Sequence, residues 1–331
     1  MNGAALAPPW SDLPETLAWR GEFGAELVLF LPFVTWLSAA GLMRGRRIST
    51  YRGMRCFYAD LDCAGIETRA EQRRAVQRLM PGWLPARDEH ALTRNPFLLY
   101  PDLRARFGAA PLDPALEQGA PLLVLHNKYN EEWGKPPVNF IDADTLDALF
   151  DALKRDFRVV YVRHGLRPLP AGFSRDRNRL LDFADEAVLR DHPEVLAFDD
   201  LFAAHQAAGR PGSVNAFKNA LYARCHRFVT VQGGGAHHIA MFRGSIMVVL
   251  HRQGMETRLA YGDEGYYGFM ANPAPIRAIC RNPEELLEAA GLFNEARLSG
   301  DRLLVSPQQA PLLNRLSPGR FRSAAPAKVS P

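Results

Sequence analysis

The strongest candidate for chemistry in this chain is a run of three glycines behind a short apolar segment. Phe228-Val229-Thr230-Val231 has the make-up of a buried strand, and Gln232-Gly233-Gly234-Gly235-Ala236-His237-His238 follows it directly. Glycines let a backbone approach a ligand closely. The helix start that comes next presents N–H groups and a partial positive charge, and the two features together suit a diphosphate. The alternative use of the same residues is a tight strand-to-helix turn with no ligand. The spacing departs from the G-x-G-x-x-G fingerprint, which argues against a nicotinamide cofactor, and no other cofactor is expected. His237 and His238 are adjacent, so at most one faces a ligand. A pair of metal ligands needs other spacing, so no metal site is expected.

Two more segments carry suitable side chains. His126-Asn127-Lys128-Tyr129-Asn130-Glu131-Glu132-Trp133 combines amides, an ammonium, carboxylates and aromatic rings. Asn127, Asn130, Glu131 and Trp133 suit sugar hydroxyls and rings, and Lys128 suits a phosphate; a solvated loop is the competing reading. In Arg163-His164-Gly165, Arg163 is able to clamp a phosphate bidentately or to serve in an ordinary ion pair. Nearer the N-terminus, Gly21-Glu22-Phe23-Gly24-Ala25-Glu26 offers two carboxylates as general bases. Glu26 is also explained as an acid in the first turn of a helix, whereas Glu22, between glycines, is not. Asp60-Leu61-Asp62 has the spacing of a metal-binding D-x-D, a pattern that also arises by chance.

These residues need elements to hold them. From Pro121 onward, short apolar runs alternate with amphipathic stretches: PLLVL (121–125), RVVYV (158–162), VLAF (195–198), FVTV (228–231), IMVVL (246–250) and IRAIC (276–280) read as strands. Leu146, Leu149, Phe150 and Leu153 share one helical face behind Asp142 or Asp144 as cap. Ser213 caps a helix bearing Val214, Phe217 and Leu221, and Asn282-Pro283-Glu284-Glu285 starts another. Such alternation predicts an α/β fold with a doubly wound parallel sheet, ligands lying beyond the strands' carboxyl ends. In the N-terminal third, TLAWR (16–20), RISTY (47–51) and RCFYA (55–59) read as strands. The uncharged stretch from Leu27 to Met43 reads as a buried helix rather than a membrane span, because Pro32 and Gly41 interrupt it.

The bulk properties agree with a globular enzyme. With 331 residues, two domains are expected: 1–118, then 119–305, joined near the Gly- and Pro-rich GAAPLDPALEQGAP, with a basic Pro/Ser-rich tail at 306–331. Hydrophobic residues make up 47% and charged residues 23%, which excludes global disorder. A net charge of +4 is too small to imply nucleic-acid binding. The tail carries Arg315, Arg320, Arg322 and Lys328 and no acid; a weak peripheral contact with an anionic lipid surface is the lesser alternative to a solvated tail. Cys56, Cys63, Cys225 and Cys280 form no Cys-x-x-Cys pair and fit reduced thiols in the cytoplasm. The first residues lack the pattern of a signal peptide.

Taken together, RGEFGAELVLFLPFVTWLSAAG (20–41) and HRFVTVQGGGAHHIAMFRGSIMVVLH (226–251) resemble the opening and the donor-binding segment of glycosyltransferases of GT-B fold, heptosyltransferase-like enzymes in particular. The layout is also similar to that of enzymes transferring xylose or N-acetylglucosamine. The resemblance departs at the donor turn, where an acid is usual and Gly234-Gly235-Ala236-His237 stands here. It implies two Rossmann-like domains and metal-independent transfer of a sugar from a nucleoside-diphosphate sugar to a glycan or other hydroxyl acceptor, as in polysaccharide biosynthesis. Glu22 would then be the base, and Gly233, Gly234, Gly235 and His237 with Lys128 and Arg163 would hold the diphosphate. A nucleotide-sugar epimerase, a pyruvyl transferase and a non-catalytic nucleotide-sugar binder are the alternatives.

Overall fold

The computed structural model describes residues 10–73, 95–132, 134–167, 178–210, 212–254, 256–262 and 265–317. The chain divides into two compact units, one reaching to Pro101 and the other starting at Asp102.

The first unit holds a three-stranded parallel sheet, β1 (Thr16–Ala18), β2 (Arg47–Tyr51) and β3 (Gly65–Arg69), in the order β1-β2-β3. RCFYA is not its third strand. Arg55–Phe57 forms a 3-10 turn that buries Phe57, and the third strand comes ten residues later in GIETR. That segment has little apolar character because it lies at the sheet's edge, where few side chains need burial.

Between β1 and β2 the chain is helical. α1 (Phe23–Ala25) runs into a π-helical turn, Glu26–Phe30, and on into α2 (Leu31–Ala39). Pro32 is tolerated inside this run because other groups replace its missing N–H. The carbonyl of Val28, four residues earlier, accepts a hydrogen bond from the Tyr100 hydroxyl at 2.8 Å. Leu27, Leu29, Phe30, Leu31, Phe33 and Leu37 are buried. Among the described residues no helix is long and apolar enough to cross a membrane.

The second unit is built on six parallel strands. After α3 (Leu103–Phe107) come β4 (Leu122–Asn127), α4 (Ala143–Leu153), β5 (Arg158–Arg163), α5 (Asp185–Asp191), β6 (Leu196–Ala197), α6 (Phe198–Ala207), α7 (Val214–Arg224), β7 (Arg227–Val231), α8 (Gly234–Ala240), β8 (Ile246–Leu250), α9 (Glu256–Leu259), β9 (Ile276–Cys280) and α10 (Pro283–Ala290). The strand order is β6-β5-β4-β7-β8-β9, every neighbouring pair parallel. The protein is thus a mixed α/β molecule with two parallel sheets. The caps read from sequence are made: Asp142, Ser213 and Asn282 accept from the backbone N–H groups of Thr145, Ala216 and Glu285.

Alternation along the strands sorts side chains onto two faces. Leu123, Leu125, Val159, Tyr161, Val229 and Val231 join the hydrophobic core that includes Leu146, Leu149 and Phe150 of α4 and Leu286 of α10. His126, Val162 and Thr230 stand in register with one another on the opposite face.

Both flanks of the sheet are tied down. Arg104 of α3 is buried and donates to the carbonyls of Ala223, Cys225 and Arg243. The guanidinium of Arg224 reaches Ala110 O at 2.6 Å and pairs with Glu117. Past α11 (Leu292–Glu295), the hairpin of β10 (Arg297–Ser299) and β11 (Arg302–Leu304) leads to α12 (Ala310–Arg315). There Leu316 is fully buried and its carbonyl accepts from Ile279 N. The remainder of the basic tail, 318–331, lies outside the described residues.

Candidate functional site

In this strand order the chain leaves β4 toward one side of the sheet, and β7 begins the other side. The crevice where the connections diverge, outside the carboxyl ends of β4 and β7, is where open parallel sheets bind ligands. Two of the sequence-predicted segments meet there.

The glycine turn follows β7. Gly233 has φ +132°, a conformation that side chains strain to adopt, and Gly235 lies so close to the His126 ring that a Cβ would fall onto it. Two of the three glycines therefore have a conformational or packing reason to be glycine. All three are half-buried, with α8 starting at Gly234.

Lys128, just past β4, arches over the turn: a Cβ on Gly233 would lie 3.0 Å from its Nζ. That ammonium already pairs with Glu132 and approaches Gln232 Oε1 at 3.4 Å. Gln232 is fixed from two more sides, by Asn139 Nδ2 at 3.1 Å and by donating to Glu256.

His237 is buried on α8, with Nδ1 2.6 Å from the Tyr267 hydroxyl and Nε2 3.4 Å from that of Tyr266. Burial, reinforced by Lys128, lowers its pKa to about 3, so the ring is neutral at physiological pH.

The other expected residues have different surroundings. Asn127 is fully buried; its amide bonds the backbone of Ile141 in both directions and holds Lys128 N. It shapes the loop after β4 rather than facing a ligand. Asn130 donates to Glu131 O, and Glu131 lies 3.7 Å from Arg179. Trp133 lies outside the described residues.

Arg163 is the clearest departure from expectation. Its guanidinium is buried and forms a bidentate pair with the fully buried Asp185, which also accepts from the Tyr161 hydroxyl at 2.8 Å. It belongs to a closed network on the α4 face, so its planar fork is spent on Asp185 and not on a phosphate.

In the first unit, Glu22 is half-buried at the N-cap position of α1 without capping it through its side chain. Glu26 is fully buried and accepts from Thr50, from Tyr58 at 2.8 Å and from Arg73 at 2.6 Å. Burial first, and then Glu26 itself, raises the Tyr58 pKa well above its usual value, which keeps that hydroxyl a donor. A carboxylate bound by three donors is a structural anchor. Asp62 is exposed and pairs with Arg44 at 3.1 Å.

Sequence reasoning missed a second polar cluster on the face opposite Arg163. His126 of β4, His164 just after β5, Lys218 of α7 and His238 of α8 are near enough to shift one another's pKa values. The signal was present: Val214, Phe217, Lys218 and Leu221 fall at i, i+3, i+4 and i+7, which places a lysine on the apolar face of its helix.

No protein-family profile matches the chain, and no curated protein does. Among solved structures, the chain is similar to Arabidopsis thaliana UGT89C1 complexed with UDP, at 15% identity and a TM-score of 0.26, over 94% of this chain and 68% of that one. A score this low leaves any functional reading to the residues themselves.

Proposed function

We propose that the second unit binds a nucleoside-diphosphate sugar and that the protein is a metal-independent glycosyltransferase acting on a hydroxyl acceptor, a glycan being the class in view. The observation that carries this reading is the coincidence of the glycine turn, Gly233–Gly235, with the crevice at the strand-order switch, where Lys128 overhangs it. Backbone N–H groups leaving the turn and the Lys128 ammonium stabilise the charge that develops on the departing diphosphate. Lys128 shifts from Glu132 to the phosphate as the ligand enters. Neutral His237 lines the turn as a polar, uncharged wall. Glu22 takes the acceptor proton; a base working directly on the acceptor gives inversion at the anomeric carbon.

A non-catalytic binder would use the same crevice, and an epimerase the same donor. A thermal-shift screen of nucleoside diphosphates and their sugars tests binding, since a ligand held only by the native state raises the melting temperature. Donor turnover then separates the classes: a transferase releases free sugar slowly to water, an epimerase yields an isomerised donor, and a binder yields neither. Absence of any stabilising nucleotide would overturn the reading. Turnover that EDTA abolishes and manganese restores would move the chemistry to Asp60 and Asp62.

A further inference from the structure

Helix α7 leads directly into β7 and therefore runs antiparallel to it, so the first turns of α7 lie level with the strands' carboxyl ends. Lys218 sits in that part of the helix and is 3% exposed. Its Nζ is 3.4 Å from His164 Nε2 and 5.3 Å from the centre of the Phe198 ring, and it enters no ion pair among the described residues. The charged and titratable groups facing it are Asp199 of α6, acting at longer range, His126 of β4, His164 beyond β5 and His238 of α8.

The imidazoles are neutral. Burial, then the nearby lysines, lowers the His126 pKa to about 3, and burial followed by Lys218 drives those of His164 and His238 well below the usual value. His238 Nε2 is committed to Asn219 Oδ1 at 2.6 Å. The rings of His126 and His164 stand edge to face, 6.3 Å apart, and the His126 ring abuts Gly235. His126 thus spans the distance from the glycine turn to the lysine, while half-buried His164 lies just beyond the carboxyl end of β5. A buried ammonium ringed by neutral imidazoles, with no carboxylate in contact among the described residues, is a site lacking its anion.

We propose that Lys218, with the imidazoles of His126 and His164, forms an oxyanion subsite that receives a phosphate group of the ligand held at Gly233–Gly235. The subsite rests on the donor-binding reading above and supplies the cation that Arg163 does not. Burial pushes the Lys218 pKa down to about 8, and an arriving phosphate raises it again. Phosphate's own second ionisation, near 6, is complete below this window. Binding therefore takes up a proton near pH 8, and affinity falls as pH rises through that value.

Calorimetric titration of the full chain tests this, with UDP, GDP, ADP and dTDP in one arm and inorganic pyrophosphate in the other. Titrations run from pH 7 to 9 in buffers of low and high ionisation enthalpy. The bound nucleotide is expected to take up about half a proton at pH 8 and to weaken about tenfold between pH 7 and 9. Lys218→Met should bind at least about tenfold more weakly at pH 7, with no proton uptake and no slope. Lys218→Arg, charged throughout, should bind with a flat profile. Because Met suits a buried site, Lys218→Met should melt no lower than the parent; if it fails to fold, the Lys218→Arg profile decides. A folded Lys218→Met with the parent's affinity and pH profile overturns the subsite and leaves donor binding standing. Binding of pyrophosphate alone, lost in Lys218→Met, keeps the subsite but overturns the donor reading. Failure of all five ligands to bind overturns both.

Discussion

Whether an arginine or carboxylate does chemistry or holds structure is decided by what surrounds it, and two pairs here show the difference. Arg163 and Lys218 are both buried cations at the carboxyl end of the sheet, yet among the described residues Arg163 forms an ion pair and Lys218 forms none. Replacing Arg163 with Ala strands Asp185 in the core and is expected to lower stability by about 3–5 kcal/mol in urea unfolding, with nucleotide affinity of the folded fraction little changed. Lost affinity at full stability would return Arg163 to the phosphate. Glu22 and Glu26 form the second pair. Glu22→Gln should leave donor affinity intact and slow turnover by roughly 10²–10⁴-fold, whereas Glu26→Gln should show itself in the melting temperature, because Arg73 loses its counter-charge. The reverse pattern would reassign the base. Of the three glycines, Gly234 gives the sharpest test, since Gly233 is held by its φ and Gly235 by the His126 ring. Gly234→Val should weaken nucleoside-diphosphate binding, with circular dichroism confirming the fold; unchanged affinity in a folded variant would remove the glycine turn from the ligand. Sequence separated Glu22 from Glu26 by their places in the glycine loop and the helix start, but it did not separate Arg163 from a phosphate clamp. Residue type made Arg163 a candidate, but its partner Asp185 is 22 positions away, and only the fold brings them together.

At the scale of elements, most of the second unit was legible because its central strands β4, β5, β7 and β8 are buried on both faces. Continuous apolar runs such as LLVL and IMVV have few other places to go, and Asp142, Ser213 and Asn282 punctuate the helices by chemistry that acts over three residues. The first unit was harder to read. Its edge strand GIETR is half polar, while RCFYA, more strand-like in composition, buries Phe57 and Tyr58 from a 3-10 turn. The helix through Pro32 illustrates the limit further: nothing near Pro32 in sequence announces that Tyr100, 68 residues on, serves the Val28 carbonyl. Tyr100→Phe is expected to destabilise the unit by about 1–3 kcal/mol, the cost of an unsatisfied buried carbonyl. Adding Pro32→Ala should recover part of the loss, because a restored N–H reaches back toward the same carbonyl. A double-mutant cycle in urea measures this coupling, and additive losses would show that Tyr100 acts through packing instead.

For the whole molecule, the largest consequence of this architecture is its response to acid. His126, His164, His226, His237, His238 and His251, all in the second unit, have pKa values lowered chiefly by burial, to about 3 for His126 and His237 and about 4 for His226 and His251. In the unfolded chain each imidazole titrates near 6.5. Between those values the unfolded state binds more protons than the native state, so stability is fully present above about pH 6.5 and is lost as pH falls toward the folded pKa values. Each ring contributes up to about 1.4 kcal/mol per pH unit in that window, and six acting together reach about 8 kcal/mol per unit. That rivals the total stability of an ordinary domain, about 5–15 kcal/mol. The second unit is therefore expected to unfold near pH 5, before most carboxylates are protonated. Urea midpoints followed by far-ultraviolet circular dichroism should be flat from pH 8 to 7 and fall steeply from 6.5 to 5. His251→Gln, which removes one ring where Tyr261 offers a hydroxyl at 3.2 Å, should make that fall shallower by about one proton's worth of slope. A midpoint that stays level down to pH 5 would mean these rings accept protons within the fold, and the neutral cluster around Lys218 would then be charged as well.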